Sequence, residues 1–127
     1  MADSIPEQWV EQARYDLDSA RVMLDGGRYL YVVFCCQQAV EKMLKALIAE
    51  RTGQCPPRLH NLLKLAEHAG VELDQTQTVL LEDLSRYYIQ SRYPEEIPAL
   101  SRGLDRHRGQ QVLNQTEDVL QWLSSML

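Results

Sequence analysis

The sequence predicts an all-α fold, an up-and-down bundle of four long helices and one short helix. Apolar residues recur at intervals of three and four along most of the chain, and no long segment shows the two-residue alternation of a strand. Helix-capping and helix-ending residues separate the periodic segments at short intervals, and short connections favour antiparallel neighbours. We expect a single domain over residues 1–127, because this length suits one hydrophobic core.

Each predicted helix has its own start or stop signal. A capping box of Ser4 and Glu7 begins the first helix, and Asp74 with Gln77 begins the fourth. Glycines follow the first three helices, and Pro94 ends the fourth because it forces the residue before it into extended backbone. The helices are predicted at about residues 5–25, 29–51, 60–69, 74–90 and from beyond residue 103 to the C-terminus, with an irregular segment over 91–103.

The charge of the chain argues against several classes of function. The net charge is −5, which does not suit a general nucleic-acid coat, a DNA-binding protein or a protein that adheres to anionic membranes. The segment 86–108 is an exception, because it carries five arginines and three acidic residues. This segment could hold a local anion site on an otherwise acidic protein.

The cysteines and the apolar runs indicate the cellular compartment in which we expect the protein. There are three cysteines and no Cys-x-x-Cys pair, so we expect neither a zinc site nor a disulfide framework and interpret the thiols as buried. The uncharged run in the most apolar helix, Tyr29–Val40, is too short to span a bilayer. We therefore expect a reduced, cytoplasmic protein with no membrane association.

A polar line on the second helix is the first candidate functional feature. On a helical wheel it lies opposite the apolar residues and consists of Gln38, Glu41, Lys42 and Lys45. In one interpretation it is a solvent-exposed face with an i,i+4 ion pair between Glu41 and Lys45. In the other, it binds a nucleotide or phosphate or faces another subunit, because Phe34 and Tyr31 lie beside it and require cover.

The end of the fourth helix is the second candidate feature. Arg92 lies there in an aromatic setting with Tyr87, Tyr88 and Tyr93. The arginine could simply face the negative end of the helix dipole, or it could bind an anion. We include Arg92 and Tyr93 among the candidate phosphate- and nucleotide-binding residues.

Four short motifs occur in order along the chain. They are Trp9 with Asp16-Leu17, the segment QQAVEKMLKAL from Gln37, His60-Asn61-Leu62, and SRYP from Ser91. Together they resemble the HEPN family, a small helical domain linked to nucleotide binding, and above all its short stand-alone bacterial and archaeal branch. The resemblance implies a bundle of four to five helices, a homodimer or higher even oligomer, and a minimal nucleotidyltransferase as partner in a toxin–antitoxin-like pair.

The same resemblance raises ribonuclease activity, because several HEPN families cleave RNA without metal. Their mark is an arginine followed four to six residues later by a histidine. Arg92 has no such histidine, whereas Arg102 and His107 have this spacing. We expect His60 to have a helix N-terminal or packing role. If the chain cleaves RNA, His107 is the best candidate for proton transfer, with Arg102 or Arg92 as its cationic partner.

Three functions follow from these observations. The first is a HEPN-type module that binds nucleotide or RNA, the second is a metal-independent ribonuclease, and the third is a protein that only assembles with itself. The missing histidine after Arg92 favours binding over catalysis. We predict no cofactor and no metal, because the sequence has neither a Gly-rich phosphate loop nor a Glu-x-x-His motif.

Overall fold

The computed structural model describes residues 4–127, and within this range it has six α-helices and no strand. The all-α bundle is thus confirmed. Its helices are α1 Ile5–Asp25, α2 Tyr29–Thr52, α3 Leu62–Ala69, α4 Gln75–Gln90, α5 Ile97–Arg102 and α6 Arg106–Ser124. None of the helices in this range combines the length and the hydropathy that a crossing of the bilayer would need.

The first two helices form an antiparallel hairpin. Ser4 caps α1, with its Oγ accepting a hydrogen bond from the backbone N–H of Glu7 at 3.2 Å, while the Glu7 carboxylate accepts one from the N–H of Ser4 at 3.3 Å. The turn after Asp25 includes Gly27, whose φ of 74° favours glycine. This short turn returns the chain along α1, so that α1 and α2 pack together over most of their length.

The second helix, α2, lies at the centre of the bundle. It packs against each of the other five helices. Its core side chains include Val40, Met43, Leu44 and Leu47, all at most 1% exposed. The interpretation of its polar line as a solvent-exposed face is wrong for Glu41 and Lys45, which are only 4% and 6% exposed. The wheel showed which residues share a side, but other parts of the chain cover that side too.

Two helix boundaries differ from the prediction. Asn61 caps α3 by accepting a hydrogen bond from the N–H of Lys64 at 3.1 Å, so His60 precedes the helix instead of beginning it. The segment after Gln90, predicted to be irregular, contains the short helix α5. Pro98 does not prevent this helix, because it lies in the first turn, where its missing N–H has no intrahelical partner to lose.

Candidate functional site

Three polar side chains form a buried ladder along α2. Gln37, Glu41 and Lys45 follow one another at intervals of four residues and therefore lie above one another on one side of the helix. All three are buried, with Gln37 fully so. Polar groups at such depth destabilise a fold unless they are paired, so each of these side chains requires a partner.

The carboxylate of Glu41 is the centre of this ladder. Its Oε2 accepts a hydrogen bond from Lys45 Nζ at 3.2 Å, and the ammonium group balances its charge. Its Oε1 accepts one from Gln37 Nε2 at 3.1 Å and lies 2.9 Å from His60 Nδ1. The buried carboxylate is therefore surrounded by donors from its own helix and from the segment before α3.

The imidazole of His60 connects this buried network to the surface. Its Nδ1 meets Glu41, yet 53% of the side chain is exposed. The backbone carbonyl of His60 accepts a hydrogen bond from Gln37 Nε2 at 3.2 Å, which fixes the segment that carries the ring. Ser85 Oγ accepts a hydrogen bond from the N–H of Leu62 at 3.3 Å, so the start of α3 is also joined to α4.

The ring of Tyr88 brings three groups together. Phe34 stacks on it, with ring centroids 5.9 Å apart and ring planes 17° from parallel. The His60 imidazole contacts the same ring at a centroid distance of 5.4 Å. The Arg92 guanidinium carbon lies 4.3 Å from the Tyr88 centroid, a cation–π distance. We call the four residues Phe34, His60, Tyr88 and Arg92 the Tyr88 cluster.

Arg92 is the cation of this cluster. It follows Ser91, the residue that caps the end of α4, and one of its guanidinium N–H groups donates a hydrogen bond to the Tyr88 hydroxyl. Arg92 is exposed, while Tyr88 beneath it is buried. The cluster thus holds an oriented guanidinium and an imidazole against one tyrosine ring, an arrangement suited to a phosphate-bearing ligand.

The comparisons with known proteins identify the family. The HEPN domain model matches residues 6–126. The chain belongs to the HEPN family. Its fold is similar to the crystal structure of TT1696 from Thermus thermophilus, with 31% identity, 96% of this chain and 98% of that chain covered, and a TM-score of 0.83. It is also similar to ST0689, an archaeal HEPN homologue, with 26% identity, 98% of each chain covered and a TM-score of 0.71. The comparison with curated proteins found no match.

The two predicted lysines of this HEPN chain are both engaged within the bundle. Lys42 Nζ lies 2.6 Å from Asp16 Oδ2 on α1, and both side chains are mostly buried. The contact is an ion pair rather than an aligned hydrogen bond, because Asp16 Oδ2 has no hydrogen-bond partner among residues 4–127. Lys45 Nζ, besides its contact with Glu41, lies 5.5 Å from the ring centroid of Trp9. A phosphate contact by either lysine would require these pairs to open.

The other predicted site residues are distributed over the surface. Gln38 is half-buried and donates a hydrogen bond to Gln37 Oε1 at 2.7 Å, so it extends the buried ladder. Tyr93 follows Arg92 and is 52% exposed. Arg102 ends α5, and His107 lies in the first turn of α6. Neither of these two side chains makes a hydrogen bond, ion pair or ring contact with the Tyr88 cluster in the described part of the chain.

The cysteines contribute no reactive group to this site. Burial raises the pKa of the Cys36 thiol to about 12, and burial followed by the negative charge of Asp16 raises the pKa of Cys35. Both thiols are therefore protonated at neutral pH and poor nucleophiles. The interpretation of all three cysteines as buried is wrong for Cys55, which is exposed.

Residues 4–127 contain no group of three or more His, Cys, Asp and Glu side chains placed to hold a metal.

Arg92 and Glu41 are candidate residues from the sequence, whereas His60, which contacts Glu41 and the Tyr88 ring, is not among them. The sequence predicts a packing or helix N-terminal role for His60, because it resembles the family's histidine before a leucine. The available signal was the carboxylate itself, since an acidic residue in the most apolar helix requires a donor and a histidine is a common one. Only the packing of the segment before α3 against α2 shows which histidine supplies it.

A separate surface cavity does not suit an anionic ligand. It has a volume of about 620 Å³ and lies between the start of α1, the end of α2 and the C-terminal Leu127. Three glutamates line it, Glu7, Glu11 and Glu50, against the single cation Arg14. The negative charge of this lining would repel a phosphate, so this cavity is not the candidate anion site.

Proposed function

We propose that this HEPN chain is a nucleotide- or RNA-binding module in which Arg92 contacts the phosphate. The observation that carries the proposal is the position of the exposed Arg92 guanidinium on Tyr88, the ring that the His60 imidazole also contacts. A guanidinium has five N–H donors, and Tyr88 takes only one of them. The others are available for a bidentate contact with phosphate oxygens.

Exposed aromatic side chains beside the cluster could hold a base. Tyr93 follows Arg92 in the chain, and Tyr31 contacts the Phe34 ring edge-on at 6.4 Å. Both tyrosines are more than half exposed. Stacking of bases on such rings is tolerant of sequence, which suits a module that binds single-stranded RNA or a free nucleotide. Lys42 and Gln38 remain predicted contacts, secondary to Arg92, whereas Lys45 is buried against Glu41.

Calorimetry with ATP, GTP and a short single-stranded RNA tests the proposal. Arg92→Ala should weaken binding about tenfold or more, because it removes a charge-assisted contact. Arg86→Ala is the matched control, since Arg86 is an exposed arginine on α4, close in sequence to Arg92, that also lies against a tyrosine ring, 5.4 Å from the Tyr87 centroid. Its affinity should stay within about twofold of wild type.

Two outcomes would contradict this assignment. Equal losses in both variants would indicate general electrostatic attraction rather than a site at Arg92. Undetectable binding of all three ligands would favour the protein that only assembles with itself. Increasing salt should weaken binding both at a site on Arg92 and by general electrostatic attraction, because phosphate contacts release counterions in both. Salt dependence alone therefore does not locate the site.

The proposed partners follow from the family resemblance. We infer a homodimer or higher even oligomer and a minimal nucleotidyltransferase as partner in a toxin–antitoxin-like pair. A small nucleotidyltransferase encoded in the neighbouring reading frame, and its co-purification with this chain on co-expression, would support the pair. Failure of two such co-expressed proteins to associate at micromolar concentration would contradict it.

A metal-independent ribonuclease is the second candidate function, and the Glu41–His60 contact, with His60 and Arg92 on the same tyrosine ring, favours it. Cleavage would require the imidazole to accept the proton of the RNA 2′-hydroxyl as its oxygen attacks phosphorus. The bond to the 5′-oxygen then breaks, that oxygen takes a proton from the imidazolium or from water, and a 2′,3′-cyclic phosphate remains. Arg92 would stabilise the additional negative charge.

This second candidate places the proton-transfer group at His60 and not at His107. The assay is cleavage of single-stranded RNA in EDTA by wild type, His60→Ala, His107→Ala and Arg92→Ala, each checked for folding by circular dichroism. Loss of activity in His60→Ala and Arg92→Ala would support catalysis at the Tyr88 cluster. Loss of activity in His107→Ala alone would support His107, the residue predicted from the sequence, as the proton-transfer group. If the wild type does not cleave RNA, the nucleotide- or RNA-binding function stands without catalysis.

A further inference from the structure

We propose that Glu41, supported by Lys45 and Gln37, holds His60 in a single tautomer whose free Nε2 selects a ribose hydroxyl. This inference rests on the proposed function, because it names the sugar that the Tyr88 cluster distinguishes. Glu41, Lys45 and Gln37 are positioning residues in this proposal, and His60 is the residue that touches the ligand.

The tautomer follows from the donors around the carboxylate. Lys45 Nζ donates to Oε2 of Glu41, and Gln37 Nε2 donates to Oε1. With an ammonium group beside it, the buried side chain of Glu41 is a carboxylate, and a carboxylate oxygen can only accept. Oε1 lies 2.9 Å from His60 Nδ1, so Nδ1 must carry the proton and donate it. In a neutral ring the other nitrogen, Nε2, is then an acceptor.

The second ring nitrogen of His60, Nε2, has no protein partner in residues 4–127, and 53% of the side chain that carries it is exposed. The ring rests on Tyr88, which also holds the Arg92 guanidinium. A neutral acceptor and a cation are therefore placed on one tyrosine ring.

The Arg92 guanidinium and the neutral His60 Nε2 bind different chemical groups of a ligand. Arg92 donates hydrogen bonds and matches phosphate oxygens, which only accept. A neutral Nε2 cannot bind a phosphate oxygen, because both are acceptors, but it can accept a hydrogen bond from a hydroxyl. The 2′-hydroxyl is the donor that separates a ribonucleotide from a deoxyribonucleotide, and it lies within one sugar of the phosphate.

Nitrogen-detected NMR of the ligand-free protein tests the tautomer without any ligand. At about pH 8, where an ordinary imidazole is neutral, we expect His60 to show a protonated Nδ1 and an unprotonated Nε2. His68 and His107 serve as internal references, because no carboxylate meets either ring in residues 4–127 and free imidazole side chains prefer the proton on Nε2. Lys45→Met and Glu41→Gln should shift His60 toward a mixture. A protonated Nε2 on wild-type His60 would overturn the proposal.

Paired affinities for ATP and dATP test the selection of the sugar. Wild type should bind ATP about fivefold to tenfold more tightly, the difference expected for one hydrogen bond. His60→Asn keeps a short amide that can donate to Glu41 but lacks an acceptor at the position of Nε2, so the ratio of the ATP and dATP affinities should fall to about one. Equal binding of the two nucleotides by wild type, or a preference that survives in His60→Asn, overturns the selection.

The failures of the two proposals are distinguishable. If neither nucleotide binds, the proposed function is wrong and the hydroxyl contact is wrong with it, whereas the tautomer is decided by the NMR spectrum alone. If both bind through Arg92 with equal affinity, the binding module stands and only the selection of ribose fails.

Discussion

Lys45 is the residue whose role changes most between sequence and structure. As a residue of a polar line it was a candidate phosphate ligand, but in the structure only 8% of its side chain is exposed and its ammonium group faces Glu41. A buried carboxylate without a partner is strongly unfavourable, so the lysine's first role is to compensate charge. Any effect of Lys45 on ligand binding should therefore be indirect, through Glu41 and His60.

Lys45→Met should lower the free energy of unfolding by about 3 to 5 kcal/mol, because it leaves the Glu41 carboxylate buried and unpaired. Urea-induced unfolding measures this difference. Adding Glu41→Gln to Lys45→Met should recover part of the loss, since the double variant has no uncompensated charge. The control is Lys64→Met on α3, an exposed lysine, which should change the stability by less than about 0.5 kcal/mol. A single variant as stable as this control would show that water reaches Glu41.

At the scale of helices, periodicity and capping predicted five of the six helices of residues 4–127 but not what covers each of them. The capping boxes at Ser4 and Asp74 and the glycine after α3 act as predicted, because caps depend on local hydrogen bonds. The environment of α2 could not be predicted, because a wheel shows which residues share a side and not which neighbour lies on it. The short helix α5 was missed for a similar reason, since packing rather than propensity stabilises six residues.

The docking of α6 depends on a residue without a side chain. Gly109 is buried, and a Cβ at this position would lie 3.2 Å from Leu24 Cδ1 and 3.3 Å from Tyr29 Cδ1, at the junction of α1 and α2. Gly109→Val should lower the free energy of unfolding by about 1 to 3 kcal/mol through overpacking, although it removes a poor helix former. Thermal and urea unfolding measure the change. Gln110→Val, on the exposed side of the same helix, should have little effect. A stabilised Gly109→Val variant would show that α6 can shift without loss of packing.

At the scale of the whole molecule, the family and the bundle could be identified from ordered motifs, whereas the site required the packed chain. The Tyr88 cluster draws residues from α2, the segment before α3, and α4, and its members lie up to 58 positions apart in sequence, from Phe34 to Arg92. Phe34 was predicted to need cover from another subunit or a ligand, but Tyr88 of the same chain stacks on it. Of the two aromatics predicted to require cover, Tyr31 stays exposed, at 58%.

We propose a smaller surface for the contact between the two chains of the expected homodimer. Tyr31 contacts Phe34, Ile89 follows Tyr88, and Tyr93 follows Arg92, and all three side chains are more than half exposed. Apolar side chains of this kind beside a candidate site are typical of subunit contacts.

We expect light scattering at micromolar concentration to give the mass of two chains of 14.7 kDa. Ile89→Glu should shift the protein toward monomer, because it would bury an unpaired charge in the contact. Val22→Glu is the control, since Val22 is 66% exposed on α1 and belongs to another surface. A wild-type monomer, or a dimer that dissociates only with Val22→Glu, would remove this surface from the assembly and leave the Tyr88 cluster to act within one chain.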